Sequence, residues 1–400
     1  MECVVLAAGE GTRMRPLTST RPKVMLPIAN KPMLEHLMIA ARDAGIHRFV
    51  FVVGYRENEI RAYFKDGSAW GVTIRYATQR AQRGTADALN AAQGLVKGSF
   101  LMMNGDMLLK SADIEALMQK ESPCIGIYPY ERPQNFGVVT IDGERVTGLV
   151  EKSPAPPSNL INAGIYSFDQ DIFRQVAALS VSERGEFELT DALLPYIRSG
   201  QLRFHRLDYW YDVGEPWDLL DANEAMIAAI SHEIKGEIEE GVTISGPFSL
   251  GEGSVVRAGT YIQGPCVIGS GCTIGPHAFL RGVTTIGDGC HIGHCTEIKN
   301  SVIFPNTKIP HFNYIGDSVV GSGCNMGAGT KVANLRHDRQ NVRISGRDTG
   351  RKKFGAVIGD HVQFGINCSV NVGTIIGSDV AIAPHSYVEG SVANKTVIGR

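Results

Sequence analysis

Residues 238–298 read IEEGVTISGPFSLGEGSVVRAGTYIQGPCVIGSGCTIGPHAFLRGVTTIGDGCHIGHCTEI. Every sixth residue from Ile238 is aliphatic: Ile244, Leu250, Val256, Ile262, Ile268, Ile274, Leu280, Ile286, Ile292 and Ile298 follow it. With such residues at about a quarter of positions, chance gives this run on the order of once in a million trials. A period of six is neither the 3.6 of a helix nor the plain alternation of a long strand. It fits short strands joined by tight turns, each sending one aliphatic side chain inward. Three hexads close a triangular coil, and coils stack at the strand spacing of about 4.8 Å.

The ladder resumes after small phase shifts at Ile303, Ile309, Ile315, Val320, Met326 and Val332, and again from Ile358 through Phe364, Val370, Ile376, Ile382 and Val388. It accounts for the glycine excess, since 28 of the 46 glycines lie in residues 231–400. Many, such as Gly251, Gly269 and Gly287, follow a ladder residue, where a sharp corner needs backbone freedom. Cys266, Cys272, Cys290, Cys324 and Cys368 each stand two residues before a ladder position, as small core filler rather than reactive thiols.

The whole chain of 400 residues suits two or three domains. A formal charge of −2 argues against a protein that grips nucleic acid. No apolar run approaches the ~18 residues of a membrane span. From the start, MECVVLAAGEG, no export signal is expected, and the eight cysteines form no CxxC pair. A reduced cytoplasmic setting is expected.

Residues 1–228 have a different rhythm. Apolar runs at 3–8, 49–53, 72–78 and 99–103 alternate with helical patterns at 33–44 and 84–95, as in a mostly parallel α/β sheet. A helical linker is expected at 216–234, leading into a second domain at 229–400. The first strand runs into LAAGEGTRMRPLT, residues 6–18, a glycine-rich turn suited to presenting backbone N–H groups to phosphate. Arg13 and Lys23 add positive charge nearby. Asp106 directly follows a buried-looking strand, and Asp212 lies in a second conspicuous segment, WYDVGEP.

LAAGEGTRM, RPKVMLP, NGD (104–106), VEK (150–152), NAGIY (162–166) and WYDVGEP (210–216) resemble the sugar-1-phosphate nucleotidyltransferases, in family order. The resemblance implies a Rossmann-like domain in which a sugar-1-phosphate oxygen attacks the α-phosphate of a nucleoside triphosphate, UTP or dTTP. It makes Asp106 and Asp212 the ligands of Mg²⁺ or another divalent ion, and Arg13 and Lys23 the catalytic cations. Leu6, Ala7, Gly9, Gly11, Gln79 and Gly84 would contact nucleotide. Gly137, Glu151 and Asn162 would hold sugar hydroxyls, and Lys152 the sugar phosphate.

The second half supports two readings: an oligomerisation scaffold, or a second active site. Arg281 and Lys299 occupy the position after a ladder residue, 18 apart, so they stack in adjacent coils. Stacked cations are unfavourable unless an anion intervenes. Residues 297–317 break the ladder's phase and gather Glu297, Lys299, His311 and Tyr314, giving a histidine general base with a carboxylate to orient it. Residues 333–355 interrupt the repeats with seven Lys/Arg against two acids, a basic loop that closes over a phosphorylated ligand or stays solvated. His277, His291 and His294 leave a zinc site as a remoter alternative.

These features, with ANLRHD and TGRKKFG, resemble the archaeal type of bifunctional amino-sugar-1-phosphate acetyltransferase/nucleotidyltransferase. The resemblance implies a left-handed parallel β-helix, acetyl-CoA as acetyl donor, and a homotrimer. It makes His311 the base, Glu297 its orienting acid, and Arg281, Lys299, Tyr314, Asn325 and Lys353 the sugar-phosphate contacts. RPLT and WYDVGEP look more like thymidylyltransferases, which leaves UTP against dTTP open.

Overall fold

A computed structural model describes residues 1–228 and 230–399. They form two compact units: Met1–Glu10, Pro22–Met25 and Met33–Asp212 make the first, and Gly11–Arg21, Leu26–Pro32 and Val213–Arg400 the second. Ala229, where the sequence places the start of the second domain, lies outside the described residues. The expected linker contains a helix at Asp218–Ile227.

The first unit is built on a nine-stranded sheet. Glu2–Ala7 pairs in parallel with Arg48–Val53 on one side and Phe100–Asn104 on the other, with Val4 opposite both Val50 and Met102. These strands are buried on both faces, which is why they read as unbroken apolar runs rather than alternating ones. Val5, Phe49 and Phe51 belong to one core, Val4, Val50 and Val52 to the other. The helix Met33–Asp43 turns Leu34, Leu37, Met38 and Ala41 into the first core at helical spacing. Gly45, at φ 94°, ends it, with the Ile46 N–H bonded back to the Ala41 carbonyl at 3.0 Å. The parallel strands end together in the segments that carry the nucleotide motifs, where α/β sheets place ligands.

The second unit is a triangular prism of three parallel sheets. Ile244 stands opposite Ile262, then Leu280, then Ile298, so each coil has 18 residues. The next partners are Ile315 and Val332, one residue short each time. The phase breaks in the ladder are these shorter coils. Val332 then pairs with Val370, past the whole of residues 333–355. The ladder residues from Leu250 to Val388 form one continuous buried core. Corner glycines are required because the next coil's backbone lies against them: a Cβ on Gly251 would meet the Gly269 carbonyl carbon at 2.5 Å. The architecture is the expected one, a Rossmann-like domain followed by a left-handed β-helix.

Candidate active sites

In the first unit, two short strands bring the expected metal carboxylates together. Met107–Leu109 pairs antiparallel with Trp210–Asp212, and Asp212 stands opposite Met107, the residue after Asp106. Trp210 is fixed by its indole N–H, which donates to the Ala163 carbonyl at 2.8 Å. Lys23, 7 % exposed, reaches Asp106 Oδ2 with its Nζ at 2.5 Å. Among the described residues no three His, Cys, Asp or Glu side chains are arranged to hold a metal ion. Two carboxylates fit a hard cation that takes its remaining oxygens from phosphate and water, as Mg²⁺ does.

Leu6 and Ala7 close the first strand, and Gly9 follows in the same unit. A Cβ on Gly9 would meet nothing within 4 Å, so its lack of a side chain leaves room instead of relieving a clash. Gly11 and Arg13 lie in the segment grouped with the second unit; Gly11 is left-handed at φ 66° and Arg13 sits in the turn Thr12–Met14. Gln79 is buried and donates to the Gly84 carbonyl at 3.1 Å and to Asp87 at 2.9 Å. Gly84 has a packing reason of its own: at φ 113°, a Cβ would strike the Phe187 carbonyl at 2.4 Å.

Gly137, Glu151, Lys152 and Asn162 line a single cavity of about 230 Å³. Strand pairing explains this, since Glu151 stands opposite Gly137 and Ile161 opposite Val138. Asn104, Tyr166 and Arg184 share the cavity and were not singled out from sequence. Asn162 donates to the Tyr166 hydroxyl at 2.7 Å. Burial raises the Glu151 carboxyl above the usual carboxylate range, and Glu188 adds to the rise, against the cations Arg184 and Lys152.

In the second unit Arg281 and Lys299 are register partners on the Ile244 face, as the ladder requires. Their corner position differs from the expected one. Most glycine corners belong to the other two faces; on this face Ser245 and Gln263 precede the pair and only then does Gly316 follow, so a missing glycine does not mark the pair. Nor do the two cations wait for an external anion. Arg281 Nε donates to Glu297 Oε1 at 2.7 Å, and Lys299 Nζ to Asp317 Oδ2 at 2.5 Å.

Glu297 is thus engaged with Arg281, and among the described residues it has no hydrogen bond to His311. His311 ends the strand Lys308–His311 on the Ile238 face, opposite His294. Tyr314 opens the next strand, on the Ile244 face opposite Glu297. Burial raises its phenol, helped by Glu297 and Asp317. Asn325 stands on the Ile238 face, bridging Lys308 and Gln363, and Lys353 pairs with Leu335 at the foot of the insertion. Arg281, Glu297, Lys299 and Tyr314 therefore share one face, while His311, Asn325 and Lys353 lie elsewhere on this subunit. The sequence reading missed Asp317, which follows Gly316, the register partner of Lys299. The rings of His277 and His294 meet edge-on, 5.7 Å apart.

The basic insertion is folded, with most of its charged side chains left exposed. It forms a hairpin, Arg343–Ile344 with Arg347–Asp348, and buries Val342, Ile344 and Phe354. The five cysteines beside the ladder are unpaired and buried, and burial pushes the thiols of Cys266, Cys290 and Cys324 up to about 12.

The family model for the nucleotidyl transferase matches residues 2–229, and that of the GMPPB C-terminal domain matches residues 262–399. The bifunctional protein GlmU of Methanocaldococcus jannaschii is 39% identical over 100% of this chain and 97% of its own length. The bifunctional sugar-1-phosphate nucleotidylyltransferase/acetyltransferase of Sulfurisphaera tokodaii is 36% identical over 99% of this chain and 98% of its own. The chain belongs to this bifunctional family. The GlmU-type members thus account for both halves, one transferring a nucleotidyl group and the other an acetyl group. Among solved structures, a putative glucose-1-phosphate thymidylyltransferase from Bacillus anthracis, in complex with a sucrose, is 27% identical with a TM-score of 0.53. It covers 58% of this chain and 96% of its own. Among the described residues no helix is long and apolar enough to cross a membrane.

Proposed function

We propose that the chain first acetylates glucosamine-1-phosphate with acetyl-CoA, then joins the N-acetylglucosamine-1-phosphate to a uridylyl group from UTP, releasing pyrophosphate. The observation that supports the nucleotidylyl step is the pairing of Asp212 with Met107, the residue after Asp106, together with Lys23 on Asp106. Bound between them, Mg²⁺ would supply charge neutralisation for the triphosphate. Lys23 and Arg13 draw in the phosphates, and preorganised cations of this kind stabilise charge that develops in the transition state. Glu151 and Asn162 accept and donate hydrogen bonds to sugar hydroxyls, Gly137 leaves room for the ring, and Lys152 faces the sugar phosphate.

On the β-helix, Arg281 and Lys299 hold the phosphate of the amino sugar with donors their carboxylate partners leave over, and Tyr314, Asn325 and Lys353 add contacts. His311 takes the proton from the sugar amine as its nitrogen attacks the acetyl carbon of acetyl-CoA and the thiolate leaves. The working form is a cytoplasmic homotrimer, which allows His311, Asn325 and Lys353 to meet the Arg281 face of a neighbouring copy.

Incubation with acetyl-CoA, glucosamine-1-phosphate, UTP and Mg²⁺ yields UDP-N-acetylglucosamine and pyrophosphate. Absence of acetyl transfer to every amino-sugar phosphate tried would refute the second half. The likeness to a thymidylyltransferase supports dTTP as a second donor, read by replacing UTP in the same assay.

A further inference from the structure

Asp360 follows Ile358 and Gly359 on the Leu250 face of the β-helix and is 1 % exposed. Its two oxygens have different partners. Oδ1 accepts from the backbone N–H of Ser322, in the preceding coil, at 2.7 Å. The same link recurs at equivalent corners: Asp288 accepts from Ser270 N–H at 2.7 Å, and Asn394 from Ser378 N–H at 2.8 Å. That oxygen serves the repeat, and Asn394 shows that a neutral amide serves it equally well.

Oδ2 is used for something else. It accepts from Arg21 Nη2 at 2.6 Å and from the Thr20 hydroxyl. Thr20 and Arg21 end the segment Gly11–Arg21, which belongs to the same compact unit. Arg21 also donates to Ser322 Oγ at 3.1 Å, and its guanidinium lies 5.1 Å from the Phe304 ring centroid. Beyond it, Asn30 Nδ2 donates to the Ile286 carbonyl at 2.7 Å. A buried carboxylate is costly unless paired. The repeat gives no reason for a charge here, and the glycine-rich loop does.

We infer that Asp360 is a positioning residue for nucleotidylyl transfer, acting through Thr20 and Arg21 on the loop that carries Gly11 and Arg13. Two residues after Arg21 comes Lys23, whose ammonium lies on Asp106. Holding Arg21 restrains the backbone on which both phosphate-binding cations are mounted, and a displacement of about 1 Å in such groups costs about 10²-fold in rate. The inference rests on the proposed function of the first unit.

The test uses the full chain. Asp360→Asn keeps the Oδ1 link, as Asn394 does, and removes the charge facing Arg21. Its nucleotidylyl transfer falls roughly 10-fold in kcat/KM for the nucleoside triphosphate, mainly through KM, while acetyl-transfer constants and the thermal midpoint stay close to wild type. Arg21→Ala gives the same split between the two activities but a lower thermal midpoint, since it leaves the Asp360 carboxylate buried without its cation, and the double variant transfers nucleotidyl groups no worse than the weaker single one, because the two act as one unit. Unchanged nucleotidylyl transfer in Asp360→Asn, a parallel fall in both activities, or additive losses would each overturn the inference. Failure of the proposed function itself is read separately, on the unsubstituted protein.

Discussion

Lys299 Nζ lies 2.5 Å from Oδ2 of Asp317, a carboxylate only 3 % exposed. Asp317 also accepts from Asn300 Nδ2 at 2.8 Å and from Asn334. Three donors satisfy a group that would otherwise be expensive to bury. The lysine is thereby held on the face where Arg281 and Tyr314 also stand. Asp317→Asn keeps the shape and removes the charge. Its KM for glucosamine-1-phosphate rises about 10–100-fold, the worth of one charge-assisted hydrogen bond. Nucleotidylyl transfer to supplied N-acetylglucosamine-1-phosphate stays unchanged. Steady-state kinetics on the two half-reactions reads both, and equal losses in the two would mean that Asp317 only supports the fold.

His311→Ala separates the two chemistries from the other side. Removing a general base lowers acetyl transfer by about 10²–10⁴-fold. Uridylylation of N-acetylglucosamine-1-phosphate persists. Asp106→Ala gives the reverse, with pyrophosphate release lost and acetylation intact. A single substitution that abolished both activities in a folded protein would contradict two separate sites.

The ladder was legible because its period is set by geometry the chain cannot evade: one aliphatic residue per face fills the prism, at Ile244, Ile262, Leu280 and Ile298. Gly137, Glu151, Lys152 and Asn162 were singled out by motif order, and they line one cavity in which strand pairing sets Gly137 beside Glu151. What sequence reading mistook was partnership. Glu297 is close to His311 along the chain, yet in a β-helix the nearest neighbour is one coil away, so Glu297 meets Arg281 instead. The charges of residues 333–355 suggested a loop that closes over a ligand or stays solvated, because their partners are remote in sequence. Arg347 pairs with Glu215, and Arg351 with Asp221, more than a hundred positions earlier.

The Glu151 carboxyl gives a pH signature. Its folded-state pKa is raised, chiefly by burial. The folded protein therefore holds this proton more tightly than the unfolded chain, whose glutamates titrate near about 4.3. Stability from this group is full below that value and falls as pH rises through the raised one. Binding runs the other way, because the ionised form accepts stronger hydrogen bonds from sugar hydroxyls. KM for the sugar phosphate thus falls with rising pH above the ordinary carboxylate range. In Glu151→Gln that limb disappears, KM is about 10-fold higher at neutral pH, and the thermal midpoint loses its matching pH dependence. A KM profile with the same limb in the variant would assign the titration to another group.

Phe354 decides whether the basic insertion moves. It is fully buried, with its ring edge-on to Trp217 at a centroid distance of 6.5 Å. Arg347 reaches both oxygens of Glu215 at 2.5 and 2.6 Å and lies 5.4 Å from the Trp217 ring. The ion pair is partly exposed, and such pairs contribute only about 0–1 kcal/mol. Truncating a buried phenylalanine costs about 3–5 kcal/mol, so burial of the Phe354 ring outweighs the charges. Phe354→Ala therefore lowers the unfolding midpoint of the second unit markedly, whereas Arg347→Ala barely shifts it. In the unsubstituted protein the hairpin is ordered before any ligand arrives. The Val342 and Thr349 amides, bonded to Arg351 O at 2.8 Å and Val342 O at 3.1 Å, exchange slowly without acetyl-CoA and no slower with it. Fast exchange that slowed by orders of magnitude on adding acetyl-CoA would restore the insertion as a closing lid.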